Sequence, residues 1–346
     1  HVSMVHLSKR FSNLADLHID NRFAYYLSVG FSAHILPVLG ALHHGGTLCM
    51  FNKGLQDLEG FKGWLNNKGI TLAMMIPSFT RYFRAIFSKN EKLKFLKTLF
   101  VGGETLYRND VEKLRNILSD NGVIINIYAS SETYLSRAFK IKNDTFIQGN
   151  IVPVGYPIED IEISIHDEHG KTVEHDEIGE FYISSPYMMD GYWKRPELNA
   201  KVLQTSPEYP GKKVFKSSDI GYYKSNDLLV CVGRKDAVVK LRGYRIDMGE
   251  IENVLLESTE VKEAASVVKK DRNDKEQIIA YITPSVKQPD IELLKAMTIR
   301  MLPSYMVPHL IIELESLPKN EIGKIDYKAL PEPIWNFIDA EREIVK

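Results

Sequence analysis

A chain of 346 residues that is 44% hydrophobic can bury a large core, enough for two domains. Its 44 basic and 45 acidic residues balance to a net charge of -1 and are spread along the chain, unlike a nucleic-acid or membrane-surface protein. Two cysteines, Cys49 and Cys231, fit no metal or redox spacing and suit a reducing cytoplasm; the ten histidines form no His-Glu-x-x-His pair, and no run of about 18 apolar residues spans a bilayer.

Residues 1–7 read as the middle of a strand, as though the chain had been cut. An amphipathic helix follows over 8–19, with Phe11, Leu14 and Leu17 at helical spacing. Residues 23–29 are strand-like, closed by Gly30, and 31–42 are mostly apolar. A buried strand is expected over 47–51, a helix over 55–66, and strands over 71–76 (closed by Pro77) and 96–101. A helix over 108–120 and a strand over 123–127 complete the alternation. This order implies a largely parallel, layered α/β sheet with its ligand beyond the carboxyl ends of the strands. Two unusual loops are expected there, Gly102-Gly103-Glu104 and Tyr128-Ala129-Ser130-Ser131-Glu132.

After residue 150 the texture changes. Residues 154–157, 161–165, 179–183 and Gly191-Tyr192 read as short strands of a small, distorted antiparallel barrel or sheet. In 233–252, Val239, Leu241 and Tyr244 alternate with Lys240, Arg242 and Arg245, a hairpin with a polar face. A helix begins at Met248 with acidic residues in its first turn. Alone this is a solvated edge hairpin; between two folded blocks it is suited to reach over a polyanion. The pattern over 254–330 is α+β: a helix, strands at 264–269 and 277–283, a helix at 289–302 and a strand at 309–314. The expected fold is α/β: a large domain (1–235), with layered sheet plus small barrel, then a small α+β domain (236–330) and a tail (331–346).

Three sets of residues carry candidate chemistry. Hydroxyls at Ser130 and Ser131 can hold phosphate oxygens, and Glu132 can hold Mg²⁺ with its waters, or the same residues simply form a polar turn capping the next helix. Asp219, expected at a strand end, can accept from both hydroxyls of a ribose, or is an ordinary turn aspartate. Lys324 follows Gly323 and can swing onto a phosphoryl transition state, or is a surface lysine.

Their order resembles the adenylate-forming enzymes: acyl-CoA synthetases, peptide-synthetase adenylation domains and luciferases. Asn126-Ile127-Tyr128-Ala129-Ser130-Ser131-Glu132 resembles that family's Asn-x-Tyr-Gly-Pro-Thr-Glu loop. Gly179-Glu180 through Gly191-Tyr192-Trp193-Lys194-Arg195-Pro196-Glu197-Leu198 is similar to its Gly-Glu-Leu…Gly-Tyr…Arg-Pro-Glu-Leu block, and Phe215-Lys216-Ser217-Ser218-Asp219 to Tyr-Arg-Thr-Gly-Asp. Residues 233–252 match the hinge block and 323–330 the terminal lysine block. The resemblance implies that a carboxylate and Mg·ATP give acyl-adenylate and pyrophosphate, followed by capture on a thiol. It implies that Tyr128 packs on adenine, Ser131 touches the α-phosphate and Glu132 ligates Mg²⁺. Gly103 and Glu104 join the nucleotide site, Asp219 takes the ribose hydroxyls and Arg234 supports ribose and phosphates. Lys324 bridges carboxylate and α-phosphoryl group, Asp236 is the hinge, and the Gly243 hairpin swings in to admit a pantetheine arm.

Some features depart from the pattern. The family's glycine-, serine- and threonine-rich phosphate loop is absent, and the homologous strand is expected at 2–5, so a truncated chain that adenylates poorly or not at all is expected. Cys231 stands where an aromatic usually lies near adenine. Phe31-Ser32-Ala33-His34-Ile35-Leu36 resembles the peptide-synthetase Phe-Asp-Ala-x-Ile-Leu, but Ser32 has no charge to pair a substrate ammonium. The implied substrate is an acid without an ordinary α-ammonium, in an apolar pocket formed with Leu36, Phe100, Gly102, Ile127 and Leu135. Leu330-Pro331-Glu332-Pro333 resembles the linker before carrier domains, which favours a phosphopantetheine carrier over CoA, or is a proline-marked tail. A stand-alone acyl-CoA synthetase and a non-catalytic scaffold are the competing readings.

Overall fold

A computed structural model describes the chain except residues 28, 30–31, 206–211, 236–237, 242–243, 274, 321–323 and 336–346. The chain divides into two compact units, His1–Lys235 and Asp236–Lys346.

The first unit opens on helix α1 (Val2–Ala15), not on a strand. Met4, Leu7, Phe11 and Leu14 repeat at helical spacing and pack together, while the β-branched Val2 and Val5 that read as strand are exposed. Strand β1 (Arg22–Tyr25) leads through a 3₁₀ turn (Ser32–His34) to α2 (Ile35–His44) and β2 (Thr47–Met50). Then come α3 (Leu58–Asn67), β3 (Leu72–Met75), α4 (Pro77–Arg84), β4 (Thr98–Gly102), α5 (Arg108–Arg115), β5 (Val123–Ser130), β6 (Tyr134–Ile141) and β7 (Tyr156–Pro157). These strands form one sheet in the order β2-β1-β3-β4-β5-β6-β7. Pairs as far as β5 are parallel and the last two antiparallel, so the layered α/β expectation holds.

Successive residues of the central strands face opposite layers, as the strand period requires. Ala73, Met75, Leu99, Val101 and Ile124 share a core with α3 and α5; Leu72, Met74, Phe100 and Ile125 share another with α1 and α2. Strand β2 corrects an expectation. It lies at the sheet edge with only Cys49 buried, because it has one neighbour and α2 covers it only in part. Pro77, read as the end of a strand, starts α4, where its missing N–H costs nothing. The expected loop at Tyr128–Glu132 is also revised: β5 continues through Ser130 and turns back directly into β6, so no helix follows.

The rest of the first unit contains β8 (Glu162–His166), β9 (Gly179–Ser185), α6 (Pro196–Val202), β10 (Leu203–Thr205), β11 (Lys213–Tyr223) and β12 (Leu229–Arg234). They form an antiparallel sheet, β10-β11-β9-β8, with β12 on the later half of β11. Gly191-Tyr192 is irregular rather than a strand: Gly191 takes φ 143° and Tyr192 is tied to α6 instead of a ladder. Ser218-Asp219, expected where a strand ends, lies inside β11 at a break in its pairing with β9, with Ser218 at φ 63°. Such a break re-aims a side chain out of the pleat. Hydrogen bonds between Gly155 and Leu229 join β12 to the segment that becomes β7.

In the second unit β13 (Val238–Leu241) and β14 (Tyr244–Asp247) form the expected hairpin, followed by α7 (Met248–Leu256). Strands β15 (Val261–Lys270) and β16 (Glu276–Pro284) pair antiparallel, and β17 (Leu310–Glu313) joins β16 in parallel after α8 (Ile291–Met301). Asp247 and Asp290 cap their helices by accepting from Gly249 N at 2.8 Å and Leu293 N at 2.9 Å. Residues 331–335 fold back: Tyr281 donates to Pro331 O, Lys269 pairs with Glu332, and Trp335 packs beside Leu330.

Candidate active site

The break in β11 aims Asp219 at the end of β5. Tyr128, buried on β5, donates its hydroxyl to Asp219 Oδ2, while Arg234, opposite on β12, reaches Oδ1 at 3.4 Å. Ser217 Oγ accepts from Asp219 N at 3.1 Å and steadies the break. Burial, then the Asp219 charge, pushes the Tyr128 hydroxyl well above its ordinary range, so it remains a donor. Phe181 meets the Tyr128 ring edge-on at 5.7 Å, and Cys231 packs into the same apolar cluster.

A second tyrosine–carboxylate pair lies at the β5–β6 turn. Thr133 N donates to Ser130 Oγ at 3.2 Å, shaping a tight turn that presents Ser131 and Glu132. Tyr192 donates its hydroxyl to Glu132 Oε1 at 2.6 Å, and Met189 N donates to Glu132 O at 2.8 Å. Burial and Glu132 raise the Tyr192 hydroxyl, and the nearby Arg234 charge opposes that rise. The two pairs are therefore neighbours, and Tyr128, Asp219, Arg234, Tyr192 and Glu132 make one polar cluster. Tyr192 was not among the residues expected from sequence. Its signal was the Gly-Tyr dipeptide, whose partner 60 residues away only the fold reveals.

Ser131 donates to Ser32 Oγ at 2.9 Å, so the 3₁₀ turn before α2 meets the same β-turn. Leu36, Phe100, Ile127 and Leu135 come together in one buried cluster drawn from α2, β4, β5 and β6. Phe100 and Leu135 are only 1% exposed. Phe100 packs on the Phe11 ring at 5.2 Å, which makes these two core residues first. At Gly102 a Cβ would stand 2.6 Å from Ile127, so a bare backbone is required. Glu104 serves α4: its carboxylate accepts from Ser78 N and Oγ at 2.9 Å each, capping the helix, and Gly103 turns the chain with φ 87°.

The AMP-binding enzyme family matches residues 1–193, and the AMP-binding enzyme C-terminal domain matches residues 250–324. The chain belongs to this family. Gramicidin S synthase 1 of Brevibacillus brevis is 30% identical over 338 residues, 97% of this chain and 30% of that protein. Tyrocidine synthase 1 of Brevibacillus parabrevis is 27% identical over 334 residues, 96% and 30% of the two chains. The chain thus spans about a third or less of the curated relatives it matches. Among solved structures, AB3403, a four-domain nonribosomal peptide synthetase bound to AMP and glycine, superposes with TM-score 0.84 at 28% identity, covering 96% of this chain and 25% of that one. The O-succinylbenzoate coenzyme A synthetase of Bacillus subtilis, in complex with ATP and magnesium, shares the fold at TM-score 0.78 and 19% identity, over 93% of this chain and 64% of that one.

In this member of the family, Lys324 belongs to the second unit. Its N–H donates to Asn320 Oδ1 at 3.0 Å, and its carbonyl accepts from Asn320 N at 2.8 Å. Tyr327 anchors the same segment by donating to Glu252 Oε2 at 3.1 Å. The expected hinge Asp236 and pantetheine-approach residue Gly243 lie outside the described residues. Among the described residues no three His, Cys, Asp or Glu side chains gather as a metal cage. A single carboxylate suits Mg²⁺, which keeps waters and substrate phosphates as its other ligands, and Glu132 fits that part. No helix among the described residues is long and apolar enough to cross a membrane.

Proposed function

We propose that this chain is part of an enzyme that activates a carboxylic acid with ATP and passes the acyl group to the phosphopantetheine thiol of a carrier protein. A carboxylate oxygen attacks the α-phosphorus, the bond to the bridging β-phosphate oxygen breaks, and pyrophosphate leaves. The thiolate then attacks the acyl carbon and AMP leaves with the bonding pair. The observation that carries this reading is the polar cluster of Tyr128, Asp219, Arg234, Tyr192 and Glu132, assembled from three strands and two loops. In it Asp219 accepts the ribose hydroxyls in place of Tyr128, whose ring flanks adenine. Arg234 neutralises charge beside the ribose and phosphates, and Ser131 holds the α-phosphate. Glu132 would hold Mg²⁺, which supplies charge neutralisation at the phosphates. Lys324 is assigned to the attacking carboxylate and α-phosphoryl group, where a positive charge counters the developing negative charge. Asp236 is assigned to the hinge and Gly243 to the pantetheine approach.

Ser32 is uncharged and bonded to Ser131, which supports an acid lacking an ordinary α-ammonium. The Leu330-Pro331-Glu332-Pro333 segment supports a carrier protein rather than CoA as acceptor, and cysteine usage limited to two residues with no metal or redox spacing supports a cytoplasmic setting. Equilibrium dialysis of AMP against the chain tests the site. Binding that Asp219→Ala weakens about tenfold or more is expected, from loss of two charge-assisted hydrogen bonds. Equal binding by the two proteins would refute it. A panel of carboxylic acids in ATP–pyrophosphate exchange, run on the full-length protein, tests the substrate class, and strict preference for a standard α-amino acid would overturn that part.

A further inference from the structure

Tyr192 touches no ligand in the scheme above, yet its main chain is held at both polar atoms. It lies in the irregular stretch between β9 and α6, gripped by Asn199 of α6 at both main-chain polar atoms. Its N–H donates to Asn199 Oδ1 at 2.7 Å, and its carbonyl accepts from Asn199 Nδ2 at 3.0 Å. Arg195 N donates to the same carbonyl at 3.3 Å. Gly191 makes the grip possible: at φ 143° a Cβ would stand 2.9 Å from Asn199 Nδ2. From this seat the hydroxyl reaches Glu132 Oε1 at 2.6 Å, while Met189 N holds Glu132 O. One short stretch thus fixes both the main chain and the carboxylate of a residue in a different sheet. Glu132 Oε2 accepts no hydrogen bond from the described residues, so the two carboxylate oxygens are inequivalent.

We propose that Tyr192, seated by Asn199, is a positioning residue that fixes the Glu132 carboxylate so that Oε2 is the oxygen offered to a divalent cation. The proposal rests on the reading of Glu132 as the cation's protein ligand. A phenol suits the task better than lysine or arginine: it orients one oxygen by a hydrogen bond while leaving the carboxylate's full negative charge for the cation. Partners that orient a ligating side chain are worth about 10- to 100-fold in metal affinity.

The test is Mn²⁺ affinity of the chain in the presence of ATP, read from the spin-resonance signal of free Mn²⁺, with metal-free AMP affinity measured alongside. Tyr192→Phe and Asn199→Ala are each expected to weaken Mn²⁺ about tenfold while leaving AMP affinity unchanged, and Glu132→Gln to weaken it further. Wild-type Mn²⁺ affinity in Tyr192→Phe, with Glu132→Gln impaired, overturns the proposal and leaves the reading of Glu132 standing. Parallel loss of AMP affinity in Tyr192→Phe also overturns it, since a general structural role would do that. Wild-type affinity in Glu132→Gln, or no ATP-dependent Mn²⁺ binding by the wild type, overturns both. Should Tyr192→Phe fail to fold, Asn199→Ala decides on the same outcomes.

Discussion

Glu252 is a carboxylate that the second unit holds in an unusual state. Burial pushes it from its ordinary 4.5 up to about 8, although Ser266 N at 2.7 Å and the Tyr327 hydroxyl both favour its charged form. The folded state therefore binds this proton more tightly than the unfolded chain does. The resulting stabilisation is complete below pH 4.5 and is lost as pH rises through about 8. Urea denaturation followed on the second unit should accordingly show stability falling by a few kcal/mol between about pH 5 and 9, and Glu252→Gln should flatten that slope. An unchanged slope in the variant would assign the effect to other groups. Because Tyr327 lies three residues after Lys324, the same titration bears on how firmly the lysine segment is held.

Helix α5 and the β6–β7 pair show how single positions decide whether an element can form. Asp110 takes Arg81 through bonds of 2.8 to 3.1 Å and also accepts from Tyr107 N at 3.3 Å, so it closes the α4–α5 contact and caps α5 together. Asp110→Ala leaves a buried guanidinium without its counter-charge and should cost about 3–5 kcal/mol in denaturant unfolding. Replacing both partners by apolar residues of similar volume should restore most of the loss, which separates the unpaired charge from the packing. At Gly155, φ is 97° and a Cβ would fall 1.9 Å from Ala138 O, inside the β6–β7 pairing. Gly155→Ala should lower the melting temperature and disturb β12 as well, since Leu229 pairs with this residue; circular dichroism on heating reads the change.

At the scale of the whole molecule, the polar cluster lies entirely in the first unit and Lys324 in the second. Nucleotide binding and bond formation should then separate by mutation. Lys324→Ala should leave AMP affinity in dialysis unchanged while lowering acid-dependent ATP–pyrophosphate exchange, measured on the full-length protein, by about 100-fold or more, as when a charge aimed at a transition state is removed. A matching loss of AMP affinity would assign the lysine to ground-state binding instead.

Periodicity and turn residues were enough to read the alternating first sheet, the β13–β14 hairpin and the α+β second unit, because those signals are local. They misled where local preference and packing disagree. Val2 and Val5 look like strand, but the apolar spacing from Met4 to Leu14 has a face to bury and makes α1. Polar residues at 128–130 and 218–219 look like loop ends, but pairing with β6 carries β5 through Ser130, and β12 takes up pairing at Asp219 where that with β9 breaks. The chemistry divides in the same way. The order of short blocks singled out the carboxylates, arginine and lysine that the resemblance implies for a site. Which tyrosine holds which carboxylate was decided only in three dimensions: Tyr128 and Asp219 are 91 residues apart, Tyr192 and Glu132 60. A hydrogen bond depends on distance in space, and over such separations only the packing of two sheets sets that distance.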